Sequence, residues 1–148
     1  MKTNTKRKAS GFFIVEILIV LAIIAILVTA LLPNLSTYTQ RAKFADALTV
    51  ADSLKPSIEL CILQNGTAGT NPTTACSAGA NGVPANVTYG TTDSANVASY
   101  AIAAGGGITV TGRSNVQSAT YILLPTFQGA GTVVWTDATS SCKTLGLC

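Results

Sequence analysis

The sequence predicts an α+β chain in which a long N-terminal helix packs on a small antiparallel β-meander with a C-terminal disulfide loop. The first half of that helix is expected to span a membrane. Three observations carry this reading. From Ile17 to Leu32 the only polar residue is Thr29. Apolar residues then recur in steps of three or four from Phe44 to Ile62, the period of a half-buried helix. Beyond residue 98, short β-like runs follow one another across Gly-rich turns.

The helix comes first. "MKTNTKRKAS" is basic through Lys2, Lys6, Arg7 and Lys8, and it runs into Gly11 before the apolar stretch begins. A secretory signal places its small-residue cleavage site after the apolar core, so the order here is different. About twenty apolar positions give roughly 30 Å of helix, enough to cross a hydrocarbon core. Four positive charges before it predict a cytoplasmic N-terminus and export of the rest. A plain anchor would explain everything but Glu16, the only charge between Lys8 and Arg41. An acid at membrane depth costs about 2–3 kcal/mol and marks function. Cutting the chain after Gly11 would create an α-ammonium on Phe12, about 6 Å of helical rise from Glu16. Within one chain the two could meet. Between two chains the pair would set the register, because a neighbour at the wrong height leaves a charge unpaired in a dry environment.

"SGFFIVEILIVLAIIAILVTALLPNLSTY" resembles the N-terminal segment of type IV pilins and the related pseudopilins. Gly11, Phe12, Glu16 and Pro33 match that family's leader end, first mature residue, assembly acid and helix-interrupting proline. Tyr38 and Arg41 match residues common in the Phe-starting subclass. Ser10 stands where Lys is usual, Ala25 where a mid-helix glycine is often found, and Leu35 where an aromatic is common. The resemblance implies cleavage between Gly11 and Phe12 by a prepilin peptidase, N-methylation of Phe12, and pairing of Glu16 with the Phe12 amine of a neighbour. It also implies a subunit stored in the inner membrane with its head in the periplasm. An assembly platform and ATPase machinery, with minor pilins, would then build it into a helical homopolymer of itself at the cell surface.

Pro33 should kink the helix or begin a second one; the family favours a bent long helix. Past it, Phe44, Ala47, Leu48, Ala51, Leu54, Ile58 and Ile62 form one stripe, opposite Asp46, Thr49, Ser53 and Ser57. Lys55 falls on the stripe, and Pro56 is expected to bend the helix enough to free it. Residues 64–98 are dominated by turn formers and should contain a short strand or two. Asn-x-Ser/Thr triplets at Asn34, Asn65 and Asn86 are weak signals, since such patterns arise by chance. "SYAIAA", "ITVTG", "ATYILLP" and "GTVVWT" then imply an antiparallel meander. Ile102, Val110, Tyr121, Leu123, Val133 and Trp135 are candidates for the face that covers the helix.

The cysteines are Cys61, Cys76, Cys142 and Cys148, an even number behind a targeting segment, which suggests two disulfides. Of three pairings, the local one (Cys61 with Cys76, Cys142 with Cys148) closes short loops and is preferred. A C-terminal cysteine-closed loop is similar to the disulfide region of many pilins.

The organisation expected is a leader at 1–11, a transmembrane and filament-core helix at 12–33, an amphipathic helix at 34–63, a variable loop at 64–98, and the sheet with its disulfide region at 99–148. No His, no nucleophile motif, no phosphate loop and no paired carboxylates argue against an enzyme, and neither cofactor nor metal is called for. Beyond Gly11 five basic residues face six acidic ones, leaving no overall basic character to attract nucleic acid. The expected function is a type IV pilus subunit serving adhesion, twitching motility or DNA uptake. The alternatives are a minor pilin or a pseudopilin of a type II secretion system. An Asp-rich calcium loop would favour the pseudopilin, and Asp93 and Asp137 lie too far apart to form one.

Overall fold

The computed structural model describes residues 13–72 and 74–148, apart from the side chains of 31–34. The chain divides into two units, Met1–Ser36 and Thr37–Cys148. Helix α1 runs over Ile14–Asn65. Its residues 14–28 lack any polar face except Glu16, and all the large apolar ones are exposed within the first unit. Thr29 satisfies its own hydroxyl by donating to the Ile26 carbonyl at 2.8 Å, so the polar exception costs the helix little.

In the second unit the predicted stripe is the core. Phe44, Ala47, Ala51, Leu54, Ile58 and Ile62 are buried, with Leu48 half-buried beside them. Each large side chain among them contributes about 1.5–3 kcal/mol by leaving water. The helix ends where Gly66 donates its amide to the Ile62 carbonyl at 2.7 Å. Only glycine fits there, because a Cβ would fall 2.6 Å from that same oxygen. The expectation for Lys55 needs correction: α1 continues through Pro56, and Lys55 is half-buried. Instead of being freed by a bend, its ammonium lies 2.6 Å from Asp52 and 5.9 Å from the centre of the Trp135 ring. A charge on an apolar stripe is tolerated because both partners are within reach of its stem.

Five strands follow: β1 (Val87–Thr88), β2 (Val97–Ile102), β3 (Ile108–Gly112), β4 (Thr120–Gly129) and β5 (Thr132–Asp137). They form one antiparallel sheet in the order β1-β2-β3-β4-β5, the meander that short connections require. The register pairs Tyr100 with Val110, Ile102 with Ile108, Ile108 with Leu123, Val110 with Tyr121, and Pro125 with Trp135. These residues share one face, as the period-2 alternation of strands demands. Ile102, Val110 and Leu123 are fully buried on it, while Tyr121, Val133 and Trp135 pack half-buried against the core. Between β2 and β3, Gly106 has φ +85, and a Cβ on it would lie 2.6 Å from Ile58 Cγ2. The sheet therefore approaches α1 more closely there than any side chain allows.

Residues 66–72 and 74–96 are tied down by discrete contacts. Cys61 is bonded to Cys76 across 15 residues, with Cα atoms 5.7 Å apart. Arg113 gathers the turn after β1, donating to the carbonyls of Tyr89 (2.7 Å), Gly90 (2.7 Å) and Ser94 (2.9 Å). The planar guanidinium can serve three acceptors at once, which explains why a loop with so little apolar content is ordered. At the C-terminus the short helix α2 (Ser141–Thr144) leads into the Cys142–Cys148 bond.

Candidate assembly site

The first unit is built from a helix that is apolar on every side. The large hydrophobic residues from Phe13 to Val28 are between 46% and 80% exposed. A soluble surface helix has one apolar stripe; one that is hydrophobic all round needs cover from lipid or other protein. Glu16 is the only charge in this segment and sits in the first turn of α1, with its amide donated to the Phe13 carbonyl at 2.9 Å. The positive end of the helix dipole favours a carboxylate at that position. Among the described residues Glu16 is exposed and has no ion-pair partner. Gly11 and Phe12 lie outside the described residues, as does the side chain of Pro33.

By length and composition, no single helix among the described residues suffices to cross a membrane. Ile14–Ala30 and Leu35–Asn65 meet that requirement together as a broken pair.

The second unit carries the groups that fix the head. Trp135 donates its indole N–H to Glu59 at 2.6 Å, joining the edge strand β5 to α1. Arg41 donates to the carbonyl of Gly146, joining α1 to the loop closed by Cys142 and Cys148. Leu147, inside that loop, is buried in the core. Asp137 accepts from the Ser140 hydroxyl and faces Lys143 at 3.0 Å. Burial alone would push the Asp137 carboxyl up, but the Ser140 hydrogen bond and the Lys143 ammonium outweigh it and hold it below the usual carboxylate range. Tyr121 is pushed up, first by burial and then by the negative charge of Asp137.

The trio Asp137, Ser140 and Lys143 superficially suggests a nucleophile with helpers, yet Ser140 is buried and its oxygen accepts the amide of Ile122 at 2.8 Å. That hydroxyl is committed to the sheet. Among the described residues no group of three or more His, Cys, Asp or Glu side chains is placed to hold a metal ion.

An all-round apolar helix with one acid in its first turn is thus joined in sequence to a disulfide-closed α+β head. A family profile described as pilin, a bacterial filament, matches residues 40–145. The chain belongs to the type IV pilin family.

The chain is 36% identical over 99 residues to the type IV wide pilus major component PilA4 of Thermus thermophilus, covering 67% of this chain and 75% of that one. It is 28% identical over 130 residues to the prepilin peptidase-dependent protein D of Escherichia coli, covering 87% and 82% of the two chains. It is 36% identical over 78 residues to the type IV pilus subunit protein TapA of Aeromonas hydrophila, about half of each chain. Pilins are structural subunits that build a pilus at the cell surface. The long helix, the five-stranded antiparallel sheet and the Cys142–Cys148 bond of this chain fit that fold.

The contacts of Glu59, Asn71, Arg113, Ser140 and Ser141 are not legible in the sequence. Each of these bonds joins a polar side chain to a partner at least eighteen positions away, so no local period marks it.

Proposed function

We propose that this chain is a main structural subunit of a type IV pilus, stored in the inner membrane with its head outside and assembled through its apolar helix. The observation that carries this reading is the uncovered apolar surface of Phe13–Val28, broken only by Glu16. Lipid covers such a surface before assembly and neighbouring copies cover it afterwards. The exchange keeps apolar area out of water throughout, so extraction need not expose it.

The peptidase cuts between Gly11 and Phe12, and Phe12 becomes N-methylated. Glu16 then meets the Phe12 ammonium of an adjacent copy, and the pair fixes the height at which a subunit docks. Pro33 loosens the helix so that its two halves adjust to packing. The Escherichia coli relative named for its dependence on a prepilin peptidase supports the processing step. The Thermus relative named as a major pilus component supports the abundant role over a minor pilin or a secretion pseudopilin. The assembled fibre serves adhesion, twitching motility or DNA uptake, driven by an assembly platform and ATPase.

The test is the mass of the N-terminal peptide in material sheared from cells. A fibre composed mainly of this chain and beginning at methyl-Phe12 is expected. Mature protein that retains Met1 to Gly11, or sheared fibres in which this chain is scarce, would overturn the reading.

A further inference from the structure

Strand β4 is longer than either neighbour, and each of its sides is left half unpaired. Toward β3 the ladder stops at Ile108↔Leu123, so the backbone groups of Pro125 and Phe127 on that side have no strand to meet. Toward β5 it stops at Leu123↔Asp137, which leaves Thr120 and Ile122 without a strand partner on the other side. Half-edges of this kind are templates for pairing with another chain.

Both are closed by side chains together with one backbone amide each. On the β3 side, Asn71 donates its amide nitrogen to the Pro125 carbonyl and accepts the Phe127 amide at 3.0 Å, while the Gly69 amide reaches the Phe127 carbonyl at 2.8 Å. The carboxamide of Asn71 thus takes the place of a peptide group in a missing strand. On the β5 side, the Ser141 hydroxyl accepts the Thr120 amide at 2.8 Å and the Ser140 hydroxyl accepts the Ile122 amide at 2.8 Å. Ala138 covers the Ile122 carbonyl at 3.0 Å.

Gly69 and Asn71 lie within the loop closed by Cys61–Cys76, and Ser140 and Ser141 immediately precede the loop closed by Cys142–Cys148. We propose that each disulfide is the tether of one polar plug, Cys61–Cys76 holding Asn71 and Cys142–Cys148 holding Ser140 and Ser141, so that oxidation seals the two open half-edges of β4. Short polar segments have little apolar area to hold them in place, and a covalent tether supplies what burial does not. The seals are separate, because they lie on opposite sides of one strand. They also differ in access. Cys61 and Cys76 are both buried, whereas Cys148 is exposed, so an external dithiol opens the Ser140–Ser141 plug first. That step forms two cysteine thiols from the disulfide while the dithiol is oxidised to its own disulfide.

The experiment is residue-resolved amide hydrogen exchange on the full chain in detergent. Cys142→Ser with Cys148→Ser is expected to speed exchange at Thr120 and Ile122 by about tenfold or more and to leave Phe127 unchanged. Cys61→Ser with Cys76→Ser is expected to do the reverse. Equal acceleration at all three amides, or none at any, overturns the proposal. A second pair of variants keeps both disulfides and decides the matter if the cysteine variants do not fold. Asn71→Ala should deprotect Phe127 alone, and Ser140→Ala with Ser141→Ala should deprotect Thr120 and Ile122 alone. Parental protection in either plug variant rejects the plug.

Discussion

The indole nitrogen of Trp135 donates to Glu59 at 2.6 Å, fastening the edge strand of the sheet to the helix it covers. Lys55, one turn earlier on α1, holds its ammonium over the same ring. A half-buried donor that loses its acceptor keeps its desolvation cost, so Glu59→Ala should destabilise the head by about 1–3 kcal/mol. Glu59→Gln retains an acceptor oxygen and should cost less. Urea unfolding of the two variants, followed by Trp135 fluorescence, ranks them; equal losses would show that the charge rather than the hydrogen bond matters.

Gly106 offers a steric test. Its φ of +85 disfavours any L side chain, and a methyl group would overlap Ile58 Cγ2 at 2.6 Å. Left-handed strain and overpacking each cost about 1–3 kcal/mol, so Gly106→Ala should lower stability by about 2–4 kcal/mol. In an Ile58→Ala background, which lacks Cγ2, Gly106→Ala should cost less than in the parent by the packing part of its loss, with the backbone strain retained. Thermal melts of the single and double variants separate the two contributions.

The lowered Asp137 carboxyl sets a pH dependence. Because its folded value lies below the unfolded one, it contributes stability that is fully present above the ordinary carboxylate range near 3.9. That contribution fades as pH falls through the ordinary range toward the lowered folded value. Asp137→Asn should therefore be less stable than the parent at pH 7, and the gap should close in acid. Denaturation midpoints measured from pH 7 down to about pH 2 would show convergence; a gap that is constant across the range would show that the carboxyl is not held below its ordinary range.

Glu16 bears on assembly rather than on the head. Replacing it by Ala removes the only charge from the exposed apolar segment. Membrane insertion should be unimpaired, since the segment loses a penalty of about 2–3 kcal/mol at membrane depth. Incorporation into fibres should fall sharply in cells that make no parental copy. Normal yields of sheared fibre from such cells would rule out a register role for the acid.

The tether of the longer disulfide loop has its own cost. Opening a bond across 15 residues frees the unfolded chain by about 3 kcal/mol. Cys61→Ser with Cys76→Ser should lower the unfolding free energy by about that amount, read from urea titration of the oxidised parent and the variant.

The amino-acid sequence by itself determined the helical stripe from Phe44 to Ile62, the all-round apolar segment ahead of it, and the inward set Ile102, Val110 and Leu123. Those features repeat with the period of the element that carries them, so the burial pattern is written locally. Tertiary structure alone decided where Lys55 rests, what Glu59 and Arg113 bind, and that Asn71, Ser140 and Ser141 complete β4. Those contacts join single polar groups far apart in the chain, and which of many equivalent polar residues meets a given amide depends on strand lengths and register, which exist only once the sheet has formed.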